Sequence, residues 1–158
     1  MSERYASQQN HALMRSIFIA LLGAFLCLNT SASELTSEET CLAKNIYYEA
    51  RDQSRQAQYA VAAATLNRVL NRKFPNTVCE VVYQPNQFSW YWDGKSDNPY
   101  ETEAWEESKK LARIMLQMYH NAYDNTKGAL FYKKVGHPSR YFKTLEYITT
   151  IGDHEFYR

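Results

Sequence analysis

The segment RQAQYAVAAATLNRVLNRKF, residues 55–74, constrains the fold of this chain more than any other part of its sequence. Its apolar and small residues are distributed almost all the way round a helix. They are Ala57, Ala60, Val61, Ala64, Leu66, Val69 and Leu70. A helix that is apolar on nearly every side belongs in the centre of a small domain. The sequence therefore predicts a central helix whose alanines let a neighbouring helix approach closely.

The first 33 residues have the order of a secretory signal peptide. Arg4 and Arg15 precede an uncharged apolar run, which the small residues Ser31-Ala32-Ser33 follow. The apolar core, residues 17–28, is shorter than the roughly 20 residues of a membrane-spanning helix. We expect cleavage after this triplet and export of residues 34–158 to the periplasm or cell wall, with no membrane span left. A retained N-terminal anchor is the alternative.

The remaining residues, 34–158, are enough for one domain with a sizeable core. Removing Arg4 and Arg15 from the 18 basic residues and Glu3 from the 17 acidic ones leaves 16 of each. A net charge near zero gives no electrostatic argument for binding nucleic acid or an anionic membrane. We therefore expect no nucleic-acid partner, and we also expect a monomer.

Two cysteines, Cys41 and Cys79, remain in this domain. In an oxidising export compartment such a pair indicates a disulfide. The closed loop would stabilise the fold by about 3–4 kcal/mol in the chain-entropy model. Two free buried thiols are the alternative.

Further helix signals lie on both sides of the central segment. Thr36 and Glu39 match a capping box, which predicts a first helix over 37–50. A short helix is expected at 78–83, and Asn98-Pro99 is expected to open a third long helix. The buried stripe predicted for that helix is Ala104, Trp105, Ser108, Leu111, Ala112, Met115 and Tyr119.

The C-terminal part of the chain has the residues of β-strands. The segments ALFYKK and YITTIGDHEFY are rich in β-branched and aromatic residues. No internal repeat or interdomain linker interrupts the sequence. We therefore predict a mainly helical α+β fold, a single domain with a small C-terminal β-hairpin.

Glu49, in the stretch NIYYEAR, lies on the apolar side of the first predicted helix. At about 100° per residue it lies about 20° from Leu42, whereas Arg51 points to nearly the opposite side. Burial and the negative end of the helix dipole both raise the pKa of a carboxyl group. A carboxyl group that stays protonated near neutral pH can act as a general acid. The alternative is a structural glutamate that caps the helix or pairs with Arg68 or Arg72.

The long connection after Pro75 is dense in aromatic residues. Phe88, Trp90, Tyr91 and Trp92 are interspersed with Gln87, Ser89, Asp93 and Asn98. Flat rings pack against the C–H faces of sugars, while amides and hydroxyls bind the sugar hydroxyl groups. This pattern indicates a carbohydrate site. The alternative is that the rings belong to the core.

Other catalytic chemistries lack their residues. The four histidines, His11, His120, His137 and His154, include no pair at metal-ligand spacing. The sequence has no H-E-x-x-H motif, nucleophile elbow or glycine-rich phosphate loop. We expect no metal ion and no cofactor. His154 is either part of a cleft wall or a hydrogen-bonded structural histidine.

Four ordered segments carry a family resemblance: NIYYEAR, AVAAATLNRV, FPNTVCEVVYQPNQFSW and IGDHEFYR. Together they resemble the SleB-like cell wall hydrolases, which include the spore-cortex-lytic enzymes, and the resemblance spans 41–158. It implies a mainly helical fold similar to lytic transglycosylases and goose-type lysozymes. It also implies cleavage of peptidoglycan between N-acetylmuramic acid and N-acetylglucosamine, with Glu49 as the catalytic residue. We expect the substrate-binding residues to be Gln87, Phe88, Ser89, Trp90, Tyr132 and His154.

The chain departs from the family pattern at three places. Asp52-Gln53 follows the E-A-R motif where the family usually has Gly-Glu, and Ala57 stands where it has a glycine. The segment ALFYKKVGHPSRYF contains His137 but has neither a histidine at the place where the family pattern leads us to expect one nor the expected Pro-x-Trp motif, so we expect the far wall of the cleft to differ in detail.

One convincing catalytic acid is present, whereas ordinary glycosidases use two carboxylates. This favours a lytic transglycosylase in which Glu49 serves first as acid and then as base. The alternative enzyme is a hydrolytic muramidase with Asp93 or Asp153 as the second carboxylate. The alternative from another class is a secreted peptidoglycan-binding module without catalysis.

Overall fold

The computed structural model describes residues 34–118 and 124–158, so the predicted signal peptide and Tyr119 lie outside the described residues. The helices of the described part are α1 (Ser37–Ala50), α2 (Arg55–Leu70), α3 (Val78–Val82), α4 (Ser89–Trp92) and α5 (Thr102–Met118). The strands are β1 (Phe131–Lys134), β2 (Tyr147–Ile151) and β3 (His154–Tyr157), with a 3-10 helix at Tyr141–Thr144. No helix in these ranges is long and apolar enough to cross a membrane.

The three strands form one antiparallel sheet in the order β1-β3-β2. The predicted C-terminal hairpin is confirmed as β2–β3, and β1 pairs with the other side of β3. The turn between β2 and β3 contains Gly152 at φ +58°, and a Cβ there would lie 2.7 Å from Cβ of Ala57. Only glycine allows this close approach, so the hairpin turn lies directly against the start of α2.

The α2 helix occupies the centre of the fold, as predicted. Ala62, Ala63 and Leu66 lie in the main core with residues of α1, α3 and α5. Ala60 and Ala64 belong to a second cluster with Phe156 of β3. Because small residues lie on two sides of α2, α1 and the sheet both pack closely against it.

The C-terminal end of α2 differs from the prediction. The helix ends at Leu70 instead of continuing to Phe74, since Asn71 has an extended backbone with ψ 122°. The Asn71 side chain accepts a hydrogen bond from the Lys73 N–H at 3.0 Å. Asparagine favours such local turns over continued helix, so the apolar pattern extended beyond the helix itself.

The start of α5 was also predicted too early, at Asn98-Pro99 instead of Thr102. The buried Tyr47 hydroxyl accepts hydrogen bonds from the backbone N–H groups of Tyr100 and Glu101, at 3.3 and 3.1 Å. These tertiary bonds hold the chain outside the helix for three more residues. The fully buried part of the predicted stripe is Ser108, Leu111, Ala112 and Met115.

The first helix has the predicted boundaries and capping box. Glu39 donates its backbone N–H to the Thr36 hydroxyl at 3.2 Å, and its carboxylate accepts from the Thr36 N–H at 2.8 Å. A disulfide joins Cys41 of α1 to Cys79 of α3 across 38 residues of sequence, with the Cα atoms 5.2 Å apart. The disulfide therefore ties α1, which carries Glu49, to the segment that leads into residues 86–93, which we call the aromatic loop.

Replacing both Cys41 and Cys79 with serine should lower the free energy of unfolding by about 3–4 kcal/mol, because the unfolded chain regains the freedom of the closed loop. Urea denaturation of the oxidised wild type and of the double variant measures the difference. The wild type under reducing conditions should match the double variant. Equal stability of the double variant and the oxidised wild type would contradict a stabilising role.

Candidate active site

Glu49 lies in the last turn of α1, where two cavities meet. The larger has a volume of about 790 Å³ and runs along residues 86–93 and β1; we call it the wide arm. The smaller has a volume of about 330 Å³ and runs along residues 51–53 and Asp153; we call it the narrow arm. Both arms are lined by Tyr48, Glu49, Lys134 and His154. The cleft therefore extends in two directions from the Glu49 carboxyl group.

The environment of Glu49 favours its protonated form. Burial raises the pKa of Glu49 from its ordinary value of 4.5 to about 7, against smaller lowering effects of the Tyr132 hydroxyl and the Arg68 charge. In the described part of the chain Glu49 forms no ion pair, so neither Arg68 nor Arg72 neutralises it as the structural alternative required. Near neutral pH this carboxyl group can both donate and accept a proton.

Arg51, two residues after Glu49, binds other side chains. Its Nε lies 2.9 Å from Oε1 of Glu101, and its guanidinium group lies over the Tyr47 ring at 5.0 Å from the ring centre. The sequence prediction that Arg51 does not neutralise Glu49 agrees with this geometry. Arg51 instead fixes the segment that leads into α5.

Arg68 supports the floor of the cleft. It is only 4% exposed, and its Nε and Nη1 donate to the Leu130 carbonyl at 2.5 Å and to Oε1 of Gln87 at 3.0 Å. Its guanidinium group also lies within 5.5 Å of the Phe88 and Phe131 ring centres. Arg68 thus connects α2 to the aromatic loop and to the start of the sheet, while its charge reaches Glu49 without a direct contact.

Two polar groups of the sheet face the same cleft as Glu49. The Tyr132 hydroxyl and Nδ1 of His154 are buried, and neither has a hydrogen-bond partner of normal geometry within the described ranges. Their rings meet edge to face at 5.3 Å. Burial lowers the pKa of His154, so its imidazole is neutral near pH 7. Buried groups without partners are uncommon in folded proteins, and the Tyr132 hydroxyl also lowers the pKa of the nearby Glu49 carboxyl group.

The aromatic loop alternates between core and cleft. Gln87 and Ser89 are exposed, whereas Phe88 and Trp90 are 3% and 7% exposed. The Trp90 indole donates to Oδ1 of Asn45 at 3.2 Å. Phe88 and Trp90 therefore form the floor of the wide arm, and Gln87 and Ser89 present polar atoms above it.

The profile of the family described as cell wall hydrolase matches residues 52–157 of this chain. The chain belongs to the cell wall hydrolase family. It is 35% identical over 117 residues to a spore cortex-lytic enzyme of Bacillus cereus, a match that covers 73% of this chain and 42% of that relative. The corresponding enzyme of Oceanobacillus iheyensis is 33% identical over 116 residues, 73% of this chain and 39% of the relative. The chain thus spans about two fifths of the length of these curated relatives.

Two solved structures share the fold of this chain. The catalytic domain of the germination-specific lytic transglycosylase SleB from Bacillus anthracis is 32% identical with a TM-score of 0.64, over 80% of this chain and 98% of that one. The catalytic domain of the Bacillus cereus SleB protein is also 32% identical with a TM-score of 0.61, over 80% and 94%. These matches confirm the predicted α+β fold and family. Glu49 precedes the profile match by three residues, so the family match does not itself include this residue.

The two aspartates considered as second carboxylates lie in different arms of the cleft. Asp93 lines the wide arm, and hydrogen bonds from the backbone and side chain of Lys95 lower its pKa. Asp153 lines the narrow arm, where its Oδ2 accepts from Nε2 of Gln53 at 3.0 Å. Each carboxylate thus has its own partner away from Glu49. No three His, Cys, Asp or Glu side chains of residues 34–118 and 124–158 are placed to hold a metal ion.

Two residues that position the site were not predicted from the sequence. Asn45 links the α1 and α2 helices through its Nδ2 bond to the Thr65 hydroxyl, 3.0 Å long. Gln53 also accepts the backbone N–H of Asp153 at 3.1 Å, which joins the α1–α2 loop to the hairpin turn. Asn45 lies one helical turn before Glu49 on the same face, a signal that could have identified it. Gln53 gave no such signal because its partner is 100 residues away.

Glu49→Gln should stabilise the fold at high pH and not at low pH. The folded state binds the Glu49 proton more tightly than the unfolded chain, so the stability that this proton contributes is complete below pH 4.5 and is lost as the pH rises through about 7. The neutral amide removes this loss, giving a difference of up to about 3 kcal/mol above pH 7. Urea unfolding of both proteins between pH 4 and 9 measures it; parallel stability curves would contradict the raised pKa.

Tyr132→Phe should raise the pKa of Glu49 further, because the hydroxyl that helps to stabilise the carboxylate is removed while the ring stays in place. NMR titration of the labelled Glu49 carboxyl carbon in both proteins provides the measurement. Tyr147→Phe, at a tyrosine that lines neither arm, is the control and should leave the titration unchanged. A lower Glu49 pKa in Tyr132→Phe would show that the phenol does not stabilise the carboxylate.

Proposed function

We propose that this chain cleaves the glycan strands of peptidoglycan between N-acetylmuramic acid and N-acetylglucosamine. The observation that carries the proposal is the Glu49 carboxyl group, which lies at the junction of two cleft arms with a pKa near 7. A long cleft suits a polymer, and a protonated carboxyl group at its centre suits cleavage of a glycosidic bond. The relatives, named spore cortex-lytic enzymes, and the structural neighbour, named a lytic transglycosylase, support it.

The proposed reaction uses Glu49 twice. Its carboxyl group first donates a proton to the glycosidic oxygen, so that the C1–O bond of N-acetylmuramic acid breaks and the next sugar leaves as an alcohol. The carbonyl oxygen of the substrate's own acetamido group bonds to C1 and stabilises the positive charge. The Glu49 carboxylate then removes the proton of the C6 hydroxyl, and O6 displaces the acetamido oxygen from C1. The product carries a 1,6-anhydro ring, and Glu49 regains its proton.

The transglycosylase route is favoured over hydrolysis by the positions of the aspartates. A muramidase of the two-carboxylate type needs a second carboxylate beside the reacting bond, acting on a water molecule or on C1. Asp93 is held by Lys95, and Asp153 is held by Gln53 in the narrow arm. Glu49 has no ion-pair partner among the described residues. With a pKa of about 7 it can be either protonated, as the acid requires, or ionised, as the base requires, near neutral pH. The muramidase with Asp93 or Asp153 remains the competing proposal.

The expected substrate contacts follow the lining of the cleft. Gln87 keeps its amide N–H groups for the substrate because Arg68 binds its oxygen, and Ser89 presents a hydroxyl group. Tyr132 and His154 line the same arm as Glu49. Phe88 and Trp90 shape the floor on which a sugar would lie. Since peptidoglycan lies outside the cytoplasmic membrane, we further propose that the domain is exported. We also propose that it acts as a monomer.

Glu49→Gln should lower the rate of sacculus clearing by about 10²- to 10⁴-fold, because the general acid and base is lost. Binding of the variant to sacculi should persist, which separates an enzyme from a non-catalytic binding module. Turbidity loss and pelleting of purified sacculi give the two measurements. A variant that clears sacculi as fast as the wild type would contradict the catalytic role.

Mass spectrometry of the products distinguishes the two enzymatic routes within the same experiment. The transglycosylase leaves 1,6-anhydro ends, whereas a muramidase leaves ends that are one water heavier. Asp93→Asn and Asp153→Asn should keep the anhydro products and most of the rate. Hydrated ends throughout, together with a lost rate in either aspartate variant, would replace the transglycosylase proposal with the muramidase.

A further inference from the structure

Trp92 is a large aromatic side chain that the fold leaves on the surface. It is 52% exposed and lines the wide arm of the cleft. Trp90, two residues earlier, is 7% exposed and bound to Asn45. The core therefore accounts for Trp90 and not for Trp92, and aromatic side chains that line a cleft are typical ligand contacts.

Trp92 is the last member of a row of aromatic rings that contact one another. Tyr91 meets Trp92 edge to face at 5.0 Å and lies 4.5 Å from the Tyr83 ring. Trp90 lies next in the row, stacked on Tyr48 at 4.7 Å. Trp92 is thus anchored to the floor of the cleft, and the rings of Trp90 and Tyr91 separate it from Tyr48, the neighbour of Glu49. A ring fixed in this way loses little conformational entropy when it binds a ligand.

The surroundings of Trp92 have the polar groups that a sugar requires. Asn86, Asp93 and His137 line the same arm. The Trp92 indole N–H makes no hydrogen bond within residues 34–118 and 124–158, so it can donate to a sugar hydroxyl group. The wide arm, at about 790 Å³, has the volume of a site for a ligand larger than one sugar ring.

We infer that Trp92 is a sugar-binding platform, on which an N-acetylhexosamine ring of the glycan strand packs outside the disaccharide that is cleaved. The inference rests on the proposed function for its ligand and extends it, because it assigns binding energy to a part of the strand remote from Glu49. The contact tightens the binding of long strands. It leaves the chemical step at Glu49 unchanged.

Binding is measured in Glu49→Gln protein, so that turnover does not consume the ligand. The probes are long glycan strands freed of stem peptides and the tetrasaccharide of the same alternating sugars. Adding Trp92→Ala should weaken binding of the long strands about tenfold, the usual size of one aromatic contact. The tetrasaccharide, held mainly at Glu49, should lose less. Tyr147→Ala is the matched control, since Tyr147 is 54% exposed and lines neither arm.

Trp92→Phe keeps a flat ring and should retain most of the affinity. The tryptophan emission change that long strands cause in the parent should nevertheless be smaller in this variant, because only Trp90 of the wide arm can still report the bound strand. In protein with Glu49 intact, Trp92→Ala should raise KM for long strands with kcat unchanged. An undiminished emission change in Trp92→Phe, or unchanged long-strand affinity in Trp92→Ala, would overturn the inference.

The outcomes also separate this inference from the proposed function. If the wild type cleaves no strand while Trp92-dependent binding persists, the proposed reaction fails and the sugar site stands. If cleavage proceeds with 1,6-anhydro products and Trp92→Ala changes nothing, the reaction stands and the platform is rejected. If only sacculi that retain stem peptides bind Trp92→Ala less tightly, the contact is to peptide, which also overturns the sugar platform.

Discussion

The close packing of α2 is the constraint on which the rest of the structure depends. Its Ala62 and Ala63 allow α1 to approach from one side, and Ala60 and Ala64 allow the sheet to approach from another. Because α2 carries small side chains on these two sides, the last turn of α1 and the strands β1 and β3 come close enough to line a common cleft. Larger residues at these alanines would move the two walls apart. The position of Glu49 opposite the sheet is therefore a consequence of side-chain size on α2.

The polar side chains below the cleft are held by hydrogen bonds to one another and to the backbone. Below the cleft Asn45 bonds both Thr65 and Trp90, and Arg68 bonds the Leu130 carbonyl and Gln87. A fully bonded network of this kind holds its members in fixed positions. The nearest buried cation is thereby kept away from direct contact with Glu49, whose pKa remains near 7. The proposed chemistry depends on the raised pKa that burial gives to Glu49. Above neutral pH the same burial lowers the free energy of unfolding, because the ionised carboxylate is poorly solvated in the folded state.

Much of the fold and the centre of the site could be predicted from local patterns. The capping box of Thr36 and Glu39, the apolar face that includes Glu49 and the two cysteines each depend on spacing within a short segment or on residue type. The same rules failed where a distant partner decides the outcome. The Tyr47 hydroxyl delays the start of α5, and the Gln53 side chain fixes a turn 100 residues away. No local pattern contains such contacts.

The sequence by itself determined most of the elements, the family and the apolar environment of Glu49, since hydrophobic periodicity and ordered motifs are properties of the chain. The tertiary structure decided which aromatic residues of the 86–93 loop are buried and which are exposed. Phe88 and Trp90 pack into the core, whereas Trp92 lies in the wide arm. It also decided that Arg68 supports the floor instead of neutralising Glu49. These choices depend on the distances between elements, which are set by how side chains pack against α2 and not by the order of residues along any one segment.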